Sequence, residues 1–390
     1  MKKYRSIIIL IGSILLGTIV GIFFDTTYLK PFGDIFLNLM FTLAVPLIFT
    51  TVSSSIANMS NLKKLGKILK YVFIVFISTS LISAIFMFIC LKITNPFTSS
   101  INLSVTEINK VSFIKELPKL FTVSDFSMLF SKSNILPLIV FSSIFGIAIS
   151  MLKNKNIKDG LDSLSKICIK MVKIVMLYAP IGIFCYFASA VSEFGPMITV
   201  GYIKSLIIYF VASILYMLIF YTIYSYIAGG KEKVKIFWKN VIPTIITSFA
   251  TASSLATLPV NLKTIENMDV DDEVAKVSLP LGATMHMEGS SMGAILKIMF
   301  VFAILNIKPS ILNILVALFI AVLSAVVMAG VPGGGLIGEV LIISMYGLPS
   351  EVFTIIATIG ILIDAPATML NATGDIASTI LIDKFFKKYK

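Results

Sequence analysis

Residues 275–305 read AKVSLPLGATMHMEGSSMGAILKIMFVFAIL, an apolar run of membrane length that carries Pro280, Gly282, His286, Glu288, Gly289 and Lys297 inside it. A charge near the centre of a bilayer costs roughly 2.5–3.5 kcal/mol even on insertion scales. Non-helical backbone at that depth survives only inside protein or beside a water-filled cavity, because lipid offers no partner to a freed N–H or C=O. A polar, glycine-broken centre in an apolar run therefore marks a membrane protein with a solute or ion path through it.

The composition agrees. The chain has 390 residues, 57% hydrophobic and 13% charged, with a mean hydropathy of +0.98. Soluble domains carry about 25% charged residues, so a chain this apolar needs lipid as a solvent. The cysteines, Cys90, Cys168 and Cys185, are odd in number and far apart, and give neither a disulfide framework nor a metal spacing. Apolar stretches near 20 residues predict spans at 7–24, 35–59, 71–92, 135–151, 167–193 and 198–228. The first follows a basic flank and ends without an A-x-A-like site, so it reads as a transmembrane helix rather than a cleavable leader.

The C-terminal half shows one pattern twice. A hairpin with a polar tip precedes an interrupted helix in 241–305 and again in 310–383. The first tip holds Ser253 and Ser254 in a segment, 241–260, with seven Ser/Thr. The second holds Gly330-Val-Pro-Gly-Gly-Gly335. The final helix, near 351–383, is expected to break at its middle, around Asp364-Ala-Pro366 and Asn371-Ala-Thr-Gly-Asp375. Repeats with matching interrupted segments point to a midplane binding site. Half-helix ends offer N–H groups to carboxylates and C=O groups to cations.

The positive charges set the topology. With both hairpins re-entrant and both termini cytoplasmic, 23 Lys/Arg lie inside and eight outside, with Lys297 within a helix. Half of the outer ones fall in one long loop at 93–134. The positive-inside rule is obeyed, so the net charge of +12 reflects topology and not a nucleic-acid partner. Glu288, Asp364, Asp375 and His286, the only histidine, each sit beside a helix breaker. Such groups face a cavity and mark an ion or substrate path. Simple pairing with buried Ser, Thr or Lys297 is the alternative.

At these residues the sequence resembles the dicarboxylate/amino acid:cation symporters, the glutamate-transporter fold. Four motifs match in order: the Ser-rich tip at 251–259, LPLGATMHMEG at 279–289, AGVPGGG at 329–335 and NATGD at 371–375. The resemblance implies an all-α polytopic membrane protein with eight transmembrane helices, two re-entrant helical hairpins and inverted repeats. It implies an elevator-type homotrimer in the cell membrane. Residues 1–70 and 135–193 would form a rigid scaffold, and 71–92 with 194–390 a sliding transport domain.

By the same resemblance, sodium is the coupling ion, with protons as the alternative, and no other cofactor is needed. Asp375 would bind one cation, with carbonyls of Gly282, His286 and Asn371. Glu288, Thr79 and Ser80 would form a second, deeper site. Thr284 and Met287, with backbone around 325–328, would form a third. Asp364 would take the amino group of a small-molecule solute. Asn371, Thr368, Ser253, Ser254 and the backbone of Val331 and Gly335 would surround its carboxylate and backbone.

This chain departs from the pattern in three places. Ala367 stands where dicarboxylate-selective members carry Arg, so no guanidinium fork is left for a side-chain carboxylate. An amino acid that is not acidic, or a small organic acid, is the expected solute. His286 and Glu288 stand for an Asn and an Asp, which opens proton coupling. Pro366 and Glu339 sit where ordinary helix and an apolar residue would be. Glu339 is expected to pair with a lysine, line the pocket or face water. A channel, an intramembrane hydrolase using His286 with Ser290 or Ser291, and a sensor on the same fold are the rival classes. One histidine and no H-E-x-x-H leave a zinc enzyme without ligands.

Overall fold

The computed structural model describes residues 5–58, 62–94, 122–131, 134–152, 154–175, 177–194, 196–327, 336–348 and 350–388. Every regular element among them is helical. The chain opens with α1 (Arg5–Phe23), α2 (Lys30–Ala57) and α3 (Leu62–Thr94). Most of the expected loop 93–134 lies outside the described residues.

Next come α4 (Ile135–Leu152), α5 (Lys155–Val175) and α6 (Ala179–Phe194). The single span expected at 167–193 is thus two helices. Pro180 explains the break: it brings no N–H and disfavours helical backbone at the residue before it. Tight bonds from Leu177 N to Ile174 O and from Tyr178 N to Val175 O close the end of α5. The two helices still run as one antiparallel path along α2. Leu161 of α5 clusters with Ala57 of α2, and Gly182 of α6 lies against Phe36 of α2.

Helix α7 (Pro196–Tyr216) passes through a π-turn, Met217–Tyr221, into α8 (Thr222–Asn240). A kink at Gly229-Gly230, with Gly230 at φ +66°, ends the straight run where the apolar stretch ends. The first hairpin is α9 (Ile242–Thr251) and α10 (Ser254–Ile265), 10 and 12 residues long. At 1.5 Å per residue each arm covers under about 20 Å, too short for a hydrocarbon core of about 30 Å. Ala252 turns the tip in left-handed conformation, and Ser253 caps α10 by accepting the Ala256 N–H at 3.2 Å. The second hairpin has arms α13 (Ile311–Val327) and α14 (Leu336–Tyr346). Its tip, with Val331 and Gly335, lies outside the described residues.

The quoted segment is α11 (Asp272–Met285) and α12 (Glu288–Ile304), broken at His286–Met287. The last helix, α15 (Ser350–Lys388), is continuous for 39 residues, so the expected break around Asp364–Asp375 is absent. Pro366 removes one donor, but α15 is surrounded by other helices, α3, α8, α9, α11 and α12 among them, and holds its course inside protein. Four helical runs among the described residues are long and apolar enough to cross a membrane: Ile68–Thr94, Val200–Asn240, Asp272–Ile304 and Ile355–Lys387. The last two are 83% and 72% buried over their apolar windows, so they form the interior and the others face lipid or neighbours more.

Helix α1 packs on α6 through Gly17 and Gly21, a G-x-x-x-G pair. A Cβ at Gly17 would strike the Phe184 carbonyl, and one at Gly21 the Ala188 carbonyl. Gly21→Leu should push the helices apart at a cost of about 1–3 kcal/mol. Thermal unfolding of the purified variant should then show a lower midpoint, with Gly12→Leu, where nothing lies within 4 Å, as the neutral control.

Candidate functional site

The site is built around the gap between α11 and α12. On α15, Asp364, Thr368, Asn371 and Asp375 follow at i, i+4, i+7 and i+11, which puts them on one face. Thr368, Asn371 and Asp375 are buried, Asp364 half-buried. Asp375 sits at Gly282 of α11, where a Cβ would collide with its carboxylate.

The His286 ring is fully buried at the centre. Its Nδ1 lies 3.0 Å from Asp375 Oδ1, and its Nε2 lies 2.8 Å from Thr79 Oγ1 of α3. An ionised carboxylate only accepts, so Nδ1–H donates to Asp375 and Nε2 accepts the Thr79 hydroxyl. Phe76 of α3 stacks on the ring at 4.2 Å and 20°, which fixes its plane. The ring therefore ties α3, the helix break and α15 together.

Glu288 begins α12 and is also fully buried. Its Oε1 accepts the Tyr216 hydroxyl at 3.2 Å and lies 3.8 Å from His286 Nε2. Its backbone carbonyl accepts from Ser83 at 3.0 Å, and the same hydroxyl lies 2.8 Å from the Ser80 carbonyl. Asn371 caps the start of α12: its Oδ1 accepts the N–H of Gly289 at 2.8 Å and that of Ser290 at 3.4 Å.

At this gap two buried carboxylate oxygens, Glu288 Oε2 and Asp375 Oδ2, have no hydrogen-bond partner; a third such oxygen, Glu339 Oε2, lies elsewhere, on a carboxylate whose Oε1 meets Lys297. Burying such an oxygen unsatisfied is costly. Hard, anionic oxygens beside hydroxyls and carbonyls suit an alkali cation, so the donor set fits one.

The remaining expected residues divide. Thr79, His286, Glu288 and Asp375 form one connected cluster, with Ser80 joined through Ser83. Met287 packs with Ala325 of α13, which brings the break against the second hairpin. The Thr284 hydroxyl bonds back to the Leu281 carbonyl at 3.0 Å within its own helix. Ser253 and Ser254 are buried at the first tip, and Ala367 is buried with its backbone carbonyl against Gly289. Val331 and Gly335 lie outside the described residues.

Sequence reasoning missed the tyrosines of α7 and α8. Tyr209 donates to the Gly289 carbonyl at 2.6 Å and Tyr221 to the Leu370 carbonyl at 2.8 Å. Tyr216 meets Glu288, and its hydroxyl lies 3.0 Å from that of Tyr224. Tyr209, Tyr216 and Tyr224 recur at i, i+7 and i+15, a one-faced spacing that was available as a signal. Tyr221 joins them only through the π-turn, which no pattern announced.

Glu339 pairs with Lys297 at 2.5 Å, both buried, between α14 and α12. Of the three expectations for Glu339, the lysine pair is the one realised. It lies beside Gly360, where a Cβ would strike the carboxylate.

The sequence model of the sodium:dicarboxylate symporter family matches residues 7–385. Excitatory amino acid transporter 1 of Ambystoma tigrinum is 34% identical over 248 residues, covering 62% of this chain and 45% of that protein. The human protein of the same name is 31% identical over the same length, again 62% and 45%. The proton/sodium-glutamate symport protein of Geobacillus stearothermophilus is 25% identical over 401 aligned positions, 96% of this chain and 93% of that protein. The matched region thus spans about half the length of the animal relatives and nearly all of the bacterial one.

Removing one member of a buried pair strands the other charge. Lys297→Met should cost about 3–5 kcal/mol, and Lys297→Met with Glu339→Met should recover most of it. Thermal unfolding of both variants measures the difference.

Proposed function

The chain belongs to the sodium:dicarboxylate symporter family, and we propose that it takes up an amino acid that is not acidic, or a small organic acid, together with sodium. The observation that carries this reading is the pair of buried carboxylates at the helix break. Glu288 and Asp375 each have one oxygen held by a protein donor and one without a partner. A cation at each supplies the missing charge.

The residues of the chain divide the work. Asp375 with the carbonyls of Gly282, His286 and Asn371 forms one cation site. Glu288 with Thr79 and Ser80 forms a second, and Thr284 with Met287 a third against α13. Asp364, Thr368 and Asn371 receive the solute from α15, and Ser253 and Ser254 from the first hairpin. The resemblance assigns the backbone of Val331 and Gly335 to the solute's other side. Bare carboxylates penalise movement through lipid, so the loaded, neutral form is the one that crosses. On this reading 71–92 and 194–390 slide against a scaffold of 1–70 and 135–193 in a homotrimer, with both termini cytoplasmic.

Solute selectivity turns on Ala367. An acidic side chain brings a second carboxylate into the pocket, and alanine has no charge or donor to meet it. The relatives named for glutamate suggest an acidic solute instead. Proton coupling is the second reading, and the Geobacillus relative's name includes it. It is favoured by His286, whose imidazole lies between Asp375 and Thr79 where a coupling ion would otherwise be held.

Uptake by the purified protein in proteoliposomes separates these readings. A sodium gradient should drive accumulation of a neutral amino acid, with little uptake of aspartate or glutamate. Ala367→Arg should shift preference toward the acidic pair by about tenfold or more, the worth of one charge-assisted pair. Glutamate uptake by the unmodified protein at micromolar affinity would remove the selectivity claim. Uptake driven by protons alone would move coupling to His286 and Glu288.

A further inference from the structure

The two oxygens of the Glu288 carboxyl have different surroundings. Oε1 accepts the Tyr216 hydroxyl at 3.2 Å. Oε2 has no hydrogen-bond partner. It rests against Gly374 together with the Tyr221 hydroxyl, and a Cβ on Gly374 would strike both oxygens. The Tyr221 hydroxyl donates to the Leu370 carbonyl at 2.8 Å. A phenol has one proton: while it is on the Leu370 carbonyl, the Tyr221 oxygen presents lone pairs beside Glu288 Oε2, and turned the other way the same hydroxyl donates to the Glu288 carboxylate.

Both tyrosines are fully buried. They bracket the π-turn, and their rings meet edge to face with centroids 5.7 Å apart. In a regular helix, residues five apart point to different sides. The wider turn brings both hydroxyls to one break, and single π-turns of this kind recur at functional sites. With the Tyr221 proton on the Leu370 carbonyl, the Glu288 Oε2 and Tyr221 oxygens together are a concentration of lone pairs in a dry interior. A small, hard monovalent cation is the chemical class that relieves it.

We propose that the π-turn between α7 and α8 completes a cation site at Glu288. Tyr216 is the positioning residue that occupies Oε1, and Tyr221 supplies the second oxygen beside Oε2. The assignment rests on the cation-coupled reading above and adds to it two residues that the resemblance did not supply. It also accounts for Gly374: a side chain there would occupy the space between α15 and these two oxygens.

The test needs no solute and no transport. The thermal unfolding midpoint of the purified protein is titrated with sodium chloride against choline chloride. A cation bound to the folded state raises the midpoint with its concentration. In the unmodified protein the midpoint should rise and saturate. Tyr221→Phe and Tyr216→Phe keep each ring and remove one oxygen. Each should raise the sodium concentration at half-saturation by about tenfold or more, as loss of a ligand or its positioning partner does.

Tyr202→Phe is the control. It lies on the same helix, its hydroxyl is buried, and its ring packs on Phe187 and Phe300 away from Glu288. Its half-saturation should equal that of the unmodified protein. If both Tyr216→Phe and Tyr221→Phe lower the midpoint in choline but leave the sodium curve in place, they are packing residues and the inference falls. If the unmodified protein shows no sodium-dependent rise, the sodium-coupled reading itself falls, and the inference with it. Either tyrosine variant decides the matter should the other not yield folded protein.

Discussion

The hydrogen bonds that His286 donates to Asp375 and accepts from Thr79 join α3, the α11–α12 break and α15 at one point in the buried interior. The rest of the C-terminal half is arranged around that point. Lipid supplies no water to satisfy an unwound backbone or a bare carboxylate. The chain meets this by surrounding the break with hydrogen-bonding groups of its own, an acceptor for its N–H groups and donors for its carbonyls. Asn371 caps α12, Ser83 reaches the Glu288 carbonyl, and Tyr209 reaches the Gly289 carbonyl. The glycines Gly282, Gly289 and Gly374 let Asp375, the Ala367 backbone and Glu288 approach where any side chain would collide.

After these contacts, Glu288 Oε2 and Asp375 Oδ2 at the break are still without partners, and among the described residues neither carboxylate has a lysine or arginine against it, as Glu339 has. That deficit is the physical basis for coupling on the proposed reading. A domain that holds uncompensated negative charge is penalised in a moving interface, and one whose charges are met by cations is not. The Lys297–Glu339 pair follows the opposite principle. It carries its own counter-charge, so it adds no demand for an ion and binds α14 to α12 in either state.

Much of the fold was legible in the sequence because membranes simplify the code. Runs of apolar residues and the breakers within them located most of the helices, the arms of both hairpins and the break near His286. Two features read wrongly for local reasons. Pro366 suggested a broken helix, but the helices packed around α15 keep it continuous. The 167–193 run looked like one span because apolarity hides the effect of Pro180 on the turn before it. The site was legible where residue type is rare at depth, as for His286, Glu288 and Asp375. It was not legible for Tyr216 and Tyr221, since aromatic residues in apolar helices are ordinary and the π-turn that aligns them has no sequence signature.

Sodium movement itself tests the account most directly. Radioactive sodium uptake is followed in proteoliposomes containing the purified protein, with and without a neutral amino acid outside. The account predicts that the amino acid stimulates sodium entry in a fixed ratio, and that Asp375→Asn abolishes the stimulated part. Solute entry that proceeds at the same rate with no accompanying sodium would contradict it.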